Sequence, residues 1–199
     1  MIEKPDMEKA SKSVGLTYED LCRLPYDGMR HELIDGDLYV TPAPRLKHQR
    51  VAISVAGHIF MYLREHPLGH VYQAPLDVVF SDSNVVEPDV LYVSYEREER
   101  QATERYLAGA PDLVVEILSP STRYVDLVVK LHLYERFGVP EYWVIDHDSE
   151  TVKIFRLQDG RLQLHTKLSR EDGTSALSVA VLSTPLLPGF QVSLGEIFA

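Results

Sequence analysis

The chain lacks the features that would stabilise it outside a cell or anchor it in a membrane. Cys22 is its single cysteine, so the chain has neither an internal disulfide nor a second thiol for a zinc site. We expect this residue to be a small, buried apolar side chain in the first helix. No stretch of 18 or more residues is apolar, and no basic segment followed by an apolar one opens the chain. These absences predict a cytoplasmic protein that is neither secreted nor membrane-spanning.

Basic residues are also scarce. The 199 residues include 20 Lys and Arg against 30 Asp and Glu, which gives a net charge of -10. This balance disfavours non-specific attraction to nucleic acid, because lysine and arginine normally make the contacts to phosphate. It still permits a contact to phosphate that a metal ion bridges. Tight binding of DNA without a metal is therefore not expected.

Apolar periodicity and turn residues predict alternating helices and strands. Thr17 is a predicted helix N-cap, and Asp35-Gly36 is a predicted hairpin turn. A long amphipathic helix is predicted from an apolar stripe made of Ala52, Val55, Ala56, Ile59, Phe60 and Leu63. The predicted elements, in chain order, are a helix over 17–24, a hairpin over 31–40, a helix over 45–65, strands over 70–80 and 85–93, a solvated helix or mobile loop over 95–107, a strand over 113–118, a helix over 125–137, a strand over 141–146, antiparallel strands over 151–157, 162–166 and 176–182, and a short terminal helix.

This order of elements predicts an α/β fold. We expect a mixed β-sheet flanked by helices, with a small antiparallel C-terminal extension. The sequence contains no internal repeat, low-complexity tract or linker that would divide two domains. Residues 1–15 are therefore expected to be a flexible N-terminus, and residues 16–199 to form a single domain.

Two acids lie inside or beside apolar runs that have the length and β-branched content of buried strands. Asp89 follows Pro88 in the first run, and Glu116 is enclosed by valine, isoleucine and leucine in the second. An ionised carboxylate in such a setting costs several kcal/mol unless something pairs with it. Two acids on neighbouring strands therefore indicate a shared cation. Oxygen ligands of this kind suit a hard divalent ion such as magnesium.

Four segments of the chain together resemble the Uma-two family of endonucleases, which is built on the restriction-endonuclease-like PD-(D/E)XK core. The matching segments are ELIDGDL over 32–38, PDV over 88–90, PDLVVEILSPST over 111–122, and Lys130 with YERFGVPEYWVID over 134–146. Their joint occurrence in this order is specific, whereas Pro-Asp alone would indicate nothing. The resemblance spans roughly residues 17–198, which is nearly the whole chain.

The resemblance implies a metal-dependent endonuclease that hydrolyses phosphodiester bonds of DNA with Mg, or with Mn. Asp89 and Glu116 would ligate the metal, and Glu32 would contribute from the hairpin. A standard motif has a lysine two residues after the glutamate, where this chain has Leu118. Lys130, on the following helix, occupies the position of the lysine that substitutes for it in the family. A homodimer is expected as well, because many symmetric nucleases cut two strands.

Each of these residues also has a purely structural interpretation. Asp89 could be an exposed acid at the start of a strand. Glu32 could pair with a basic residue across the hairpin, which is worth about 0.2–1 kcal/mol. Lys130 could form a helix-surface pair with Asp126, four residues before it, worth about 0.3–0.5 kcal/mol. Glu116 is the hardest to explain in this way, because a structural role inside its apolar run requires a buried partner.

Other polar residues are weaker candidates. Asp77 could support the site, although a solvent-facing strand position is favoured for it. His48 resembles a family position, although helix capping or an exposed polar role is favoured. Ser119 and Ser121 lack the nucleophile-elbow glycines of a serine hydrolase. The leucine at 118 and the acidic charge leave a second function open, a nuclease-fold protein that no longer cuts and serves as a binding or assembly module.

Overall fold

The computed structural model of the chain describes residues 15–173 and 180–199. Of the predicted flexible N-terminus over residues 1–15, all but Gly15 lie outside the described residues, as do residues 176–179 of the last predicted strand. The described residues form a mixed α/β structure, with mixed sheets flanked by helices and a small antiparallel two-stranded sheet, and this confirms the predicted fold class. None of the helices in these ranges is long and apolar enough to span a membrane.

The elements alternate along the chain much as the sequence predicts. The helices are α1 (Tyr18–Cys22), α2 (Leu46–Glu65), α3 (Tyr95–Gln101), a π-helical segment (Val125–Val129), α4 (Lys130–Arg136), a 3-10 turn (Arg170–Gly173) and α5 (Leu194–Ile197). The strands are β1 (Arg30–Ile34), β2 (Asp37–Thr41), β3 (Gly69–Gln73), β4 (Asp77–Ser81), β5 (Asn84–Val86), β6 (Val90–Ser94), β7 (Tyr106–Leu107), β8 (Leu113–Ile117), β9 (Glu141–Asp146), β10 (Thr151–Gln158), β11 (Arg161–Ser169), β12 (Val181–Ser183) and β13 (Gln191–Ser193).

The larger sheet has six strands in the order β11-β10-β9-β8-β6-β3. Strands β8 and β9 pair in parallel, whereas the other neighbours are antiparallel. Parallel neighbours need a crossover connection, which the π-helical segment and α4 supply. The predicted antiparallel extension divides in two, because β10 and β11 continue the larger sheet while β12 and β13 form a separate pair.

A second sheet of five strands has the order β2-β1-β5-β4-β7. Its β1-β2 hairpin turns at Asp35 and Gly36, whose φ angles are 54° and 79°. Positive φ at both central residues is what this type of two-residue turn requires, so the predicted hairpin is confirmed. Thr17 caps α1 with a hydrogen-bonded capping box, which confirms the predicted start of the first helix.

Between β3 and β6 the chain passes twice between the two sheets, each time at a proline. The strands predicted over 70–80 and 85–93 are each divided into two shorter strands, since β3 and β6 belong to the larger sheet while β4 and β5 belong to the second sheet. Pro75 lies in the first passage and Pro88 in the other. Proline has no N–H to donate to a ladder, and it therefore ends strand pairing at both points. The second passage places Asp89 directly before β6.

The larger sheet is covered on both faces by apolar side chains. One core lies between this sheet, α2 and the C-terminal segment, and its members include Ile59, Val115, Trp143, Leu187 and Ile197. The other core lies between the larger sheet, the second sheet and α4, and its members include Ile34, Leu91, Val114, Leu133 and Tyr142. The candidate functional side chains lie on the side of the larger sheet that faces the second core.

Two sequence-based expectations about burial are wrong. The apolar stripe of α2 is buried at five of its six predicted positions, but Phe60 is 53% exposed. Position 60 lies about 100° around the helix from Ile59, which points to the core. Cys22 is exposed rather than buried, because α1 is short and buries none of its residues.

Candidate active site

Three of the predicted acids face the second core because of strand alternation. On β8, Glu116 has the same parity as the core residue Val114, and on β1, Glu32 has the same parity as Ile34. Asp89 lies one residue before β6, where the last paired residues are Val90 and Val115. Continuing this antiparallel register by one residue places Asp89 opposite Glu116.

Lys130 is brought to the same place by the helix that follows β8. The buried residues Asp126, Lys130, Leu133 and Tyr134 have helical spacing and share the face of the crossover that packs on the sheet. The Lys130 Nζ lies 2.8 Å from Glu32 Oε1, 2.9 Å from Glu116 Oε1 and 3.7 Å from Asp126 Oδ1. Lys130 is only 2% exposed. The interpretation of Lys130 and Asp126 as a helix-surface pair is therefore wrong.

Glu116 receives two hydrogen bonds on the same oxygen. The Lys130 Nζ donates to Oε1 at 2.9 Å, and the Tyr134 hydroxyl donates to Oε1 at 2.7 Å. Among the described residues, no protein donor pairs with Oε2 of Glu116. Leu118, at the position of the standard motif lysine, is buried in the second core. The lysine of this site thus comes from α4 and not from β8.

Asp89 is 4% exposed and is held on both oxygens. The Arg30 guanidinium donates to Oδ1 at 3.0 Å, while Oδ2 accepts the Ile117 backbone N–H at 2.8 Å and lies 3.1 Å from His48 Nε2. The interpretation of Asp89 as an exposed acid is wrong. So is the capping or surface role favoured for His48, which is 7% exposed and contacts Asp89.

Glu32 connects the second sheet to the cluster of buried charged side chains around Lys130 and Asp89. Its Oε1 accepts the backbone N–H of Glu87 at 2.8 Å, in the passage between the sheets, as well as the Lys130 ammonium. Its neighbour across the hairpin is Tyr39, so the predicted pairing with a basic residue across the hairpin is wrong. Asp77 is apart from this group, since its carboxylate accepts a hydrogen bond from Tyr18 at 3.1 Å.

All four predicted site residues line one cavity of about 450 Å³. Its wall also includes Arg30, His48, Asp126 and His147, the loop over 41–45 at the start of α2, and the loop over 119–122 after β8. Side chains from β1, from the passage before β6, from β8 and from α4 therefore converge on one cavity. Such a cavity with convergent polar groups is the usual form of a catalytic or binding site.

Comparisons with known proteins identify the family of the chain. The Uma2 family, described as "Putative restriction endonuclease", has a model that matches residues 17–194. The chain belongs to the Uma2 family. This family implies a nucleic acid substrate. No curated protein matches this Uma2 chain.

A solved structure shares the fold of this Uma2 protein. It is the crystal structure, at 1.96 Å resolution, of a "putative nuclease belonging to DUF820" from Anabaena variabilis ATCC 29413. The two chains superpose with a TM-score of 0.73 over 92% of this chain and 97% of that chain, at 22% sequence identity. The restriction-endonuclease-like fold predicted from the sequence is thereby confirmed.

The cluster in this Uma2 protein has more acids than cations. Glu32, Asp89, Glu116 and Asp126 are buried, and the permanent cations beside them are Lys130 and Arg30. Burial raises the pKa of Glu116 and, further, that of Asp126, and Lys130 only partly opposes these shifts. A surplus of buried carboxylates is costly without a further positive charge or a proton.

The other ionisable side chains fall into two classes, those that stay charged at neutral pH and those whose protonated form burial favours. Burial alone would raise the pKa of Asp89, but the hydrogen bond to His48 and the charge of Arg30 lower it to about 2. Burial likewise opposes the charge of Lys130, yet Glu116 and Glu32 outweigh it and raise its pKa. Burial raises the pKa of Glu87, beside the cluster, to about 7. Asp89 and Lys130 are therefore charged at neutral pH.

The donor set of this site fits a hard divalent cation. It consists of carboxyl oxygens, the acids outnumber the permanent cations beside them, and Glu116 Oε2 has no protein donor among the described residues. The described residues contain no group of three or more His, Cys, Asp or Glu arranged to hold a metal ion. Magnesium keeps most of its waters and takes one or two carboxylates, so its binding does not require such a group.

Four further residues contact the predicted ones: sequence reasoning missed Arg30 and Tyr134, and it gave His48 and Asp126 only capping or surface roles. Signals for two of them were present in the pattern. Arg30 lies two residues before Glu32 and so shares its strand face, and His48 lies four residues before Ala52, so it continues the buried stripe of α2. The involvement of Tyr134 depended on where the crossover helix packs, for which no local signal exists.

Proposed function

We propose that this Uma2 protein is a metal-dependent endonuclease that hydrolyses phosphodiester bonds of DNA and uses Mg, with Mn as a substitute. The observation that carries the proposal is the convergence of Glu32, Asp89, Glu116 and Lys130 in one cavity, where buried carboxyl groups outnumber the cations that contact them. A nuclease must bring a polyanion to its active site. Carboxylates in such a site are useful only if a cation joins them to phosphate.

Asp89 and Glu116 would hold the metal ion. They lie opposite each other on neighbouring strands, and both line the cavity. A divalent ion bound there supplies charge neutralisation at the scissile phosphate and lowers the pKa of a bound water. Glu32 would act through water or bind a second ion, because magnesium usually accepts only one or two protein carboxylates.

Lys130 acts as a cation and not as a base. Because Glu116 and Glu32 raise its pKa despite burial, its amine stays protonated over the range in which the protein would work. A buried ammonium that donates to Glu116 can orient the attacking water and stabilise the negative charge that develops on the phosphate. The position of its Nζ beside Glu116 supports the substitution of Lys130 for the motif lysine that Leu118 replaces.

Arg30 and His48 are positioning residues for Asp89. Their contacts to Oδ1 and Oδ2, together with the Ile117 N–H, fix the carboxylate and keep it ionised. A ligand held in this way is ordered before metal or substrate arrives. Tyr134 has the corresponding contact to Glu116.

The test is cleavage of supercoiled plasmid and of single-stranded DNA with Mg or Mn, comparing wild type with Glu116→Gln. The substitution keeps the shape of the side chain and removes its charge, and we expect at least about a hundredfold loss of rate. Glu65→Gln is the matched control, because Glu65 is exposed at the end of α2 and lies outside the cavity. Cleavage by Glu116→Gln at the wild-type rate would contradict the proposal.

A calorimetric titration with Mn separates catalysis from the alternative of a non-catalytic binding or assembly module. The nuclease proposal expects metal binding to wild type and to Glu65→Gln, and its loss in Glu116→Gln. A wild type that neither binds Mn nor cuts either DNA would favour the module. The homodimer stays a prediction.

A further inference from the structure

The start of α2 has a charge that sets it apart from the rest of the chain. Between Asp37 and Glu65 the sequence contains no acid but has four basic residues, Arg45, Lys47, Arg50 and Arg64. The segment thus carries a local charge of +4 in a chain of net charge -10. Three of these four cations lie within the first turns of α2 or immediately before it.

These cations are at the unfavourable end of the helix. The N-terminus of a helix carries a partial positive charge and leaves its first N–H groups without intrahelical partners. Arg45 occupies the N-cap position without a side-chain hydrogen bond to these groups, and the first turn contains no acid. Arginine is a poor N-cap, so the local sequence does not stabilise the helix here. An anion bound at this end would satisfy both the N–H groups and the cations.

The partners of these cations within the protein are weak. The Lys47 ammonium is 3.6 Å from Asp148 Oδ1, in a pair whose side chains are 45% and 66% exposed. Exposed pairs of this kind contribute about 0–1 kcal/mol and can be exchanged for a ligand. Arg45 is exposed and forms no ion pair with any residue that the structure describes.

A second, independent observation at the same place is an unpartnered polar group. His48, in the first turn of α2, is only 7% exposed and lines the cavity. Its Nε2 contacts Asp89, but its buried Nδ1 has no hydrogen-bond partner among the described residues. Buried polar atoms are normally paired, which indicates that a bound group or water belongs beside this ring.

We propose that the start of α2, formed by Arg45, Lys47 and the first N–H groups of the helix beside the buried His48, binds a backbone phosphate of the DNA next to the one being cut. This inference rests on the proposed function and adds an attraction for the DNA backbone, which the carboxylate cluster lacks. The cluster repels a polyanion, whereas the start of α2 attracts it and lines the same cavity. One DNA strand can therefore contact both the start of α2 and the carboxylate cluster, with its scissile phosphate at Asp89 and Glu116.

The test is fluorescence anisotropy of a short labelled DNA duplex, titrated with protein in EDTA and at increasing salt. EDTA removes the metal contribution, so binding reports the phosphate contacts alone. For Arg45→Ala/Lys47→Ala we expect about tenfold weaker binding at low salt, and a slope of log K against log salt that is shallower by about 2. The matched control is Arg64→Ala/Lys167→Ala, which removes the same two residue types at exposed positions outside the cavity.

The outcomes separate this inference from the proposed function. Equal binding by wild type and Arg45→Ala/Lys47→Ala would overturn the phosphate site, and so would an equal loss in the control variant. A wild type that does not bind the duplex even at low salt would overturn it too. If the wild type binds through Arg45 and Lys47 but never cuts, the phosphate site stands and the nuclease proposal fails. Thermal unfolding of each variant checks that these exposed substitutions leave the fold intact.

Discussion

Glu116 and Glu141 are equally buried, at 1% exposure, on adjacent strands of the same sheet, yet their surroundings are opposite. Glu141 has one donor for each oxygen, with Trp143 Nε1 on Oε1 at 2.6 Å and Arg156 Nε on Oε2 at 2.7 Å. Its single negative charge is matched by a single arginine. Glu116 shares Lys130 with other buried acids and faces a cavity.

The comparison shows that burial of a carboxylate does not by itself identify a functional site. A buried acid with complete pairing is a structural ion pair, whose removal leaves its partner without compensation. A buried acid in a group with surplus negative charge is maintained against stability, and this is typical of sites that bind a cation or substrate. Charge balance and access distinguish Glu116 from Glu141.

Removing the cation of the cluster should have the largest effect. Lys130→Met leaves Glu32, Glu116 and Asp126 without their shared ammonium, so we expect a loss of about 3–5 kcal/mol in the free energy of unfolding at neutral pH. The loss should shrink as the pH falls, because Glu116 and Asp126, whose pKa values burial already raises, take up protons once the ammonium is gone. Urea unfolding at several pH values measures both effects.

Lys167→Met is the control for this prediction, because it removes an exposed lysine from β11 and should change the stability by less than about 0.5 kcal/mol. If Lys130→Met unfolds at the same urea concentration as wild type at all pH values, the cluster is not an ion cluster of the kind described.

Glu116→Gln and Glu141→Gln compare the two glutamates directly. Glu141→Gln removes the charge that holds Arg156, which should lower the free energy of unfolding by about 2 kcal/mol and leave DNA cleavage unchanged. Glu116→Gln removes a surplus charge and keeps an acceptor for Tyr134, so its stability should stay within about 1 kcal/mol of wild type while cleavage is lost. Urea unfolding and plasmid cleavage on the same preparations provide the data. A destabilised Glu116→Gln beside an unaffected Glu141→Gln would reverse our assignment of the two residues.

Glu87 should give a smaller effect, which appears as a pH dependence of the free energy of unfolding. Burial raises its folded-state pKa to about 7, above the value of about 4.3 in an unfolded chain. The wild type therefore binds more protons when folded and loses stability as the pH rises between these values, with the full loss present above pH 7. Glu87→Gln removes this loss, so it should exceed wild type in stability by an amount on the order of 1–2 kcal/mol at about pH 8 and by much less at about pH 5.

Thermal or urea unfolding of the two proteins across this pH range measures the difference. A stability difference that stays constant from pH 5 to pH 8 would mean that Glu87 does not titrate as described. Because Glu87 lies beside Arg30, the arginine must be left unchanged in this comparison.

Most elements could be predicted because their signals are local. The Asp35-Gly36 turn, the Thr17 cap and the stripe of α2 depend on neighbouring residues only, and all three are present in the structure. The division of the strands at Pro75 and Pro88 was not predicted, although both prolines are visible in the sequence. Whether a proline interrupts a strand or moves the chain to another sheet depends on where the two sheets lie.

By itself, the sequence determined which side chains are the candidates for the chemistry, since an acid inside an apolar run such as Glu116 can persist only with a partner, and since the family motifs include Glu32, Asp89 and Lys130. Only the tertiary structure decided how these charges are combined. Lys130 lies between Glu32 and Glu116, and His48 and Arg30 hold Asp89, because β1, β6, β8, α2 and α4 meet around one cavity. Charge interactions depend on distance and burial, and neither quantity can be read from positions along the chain.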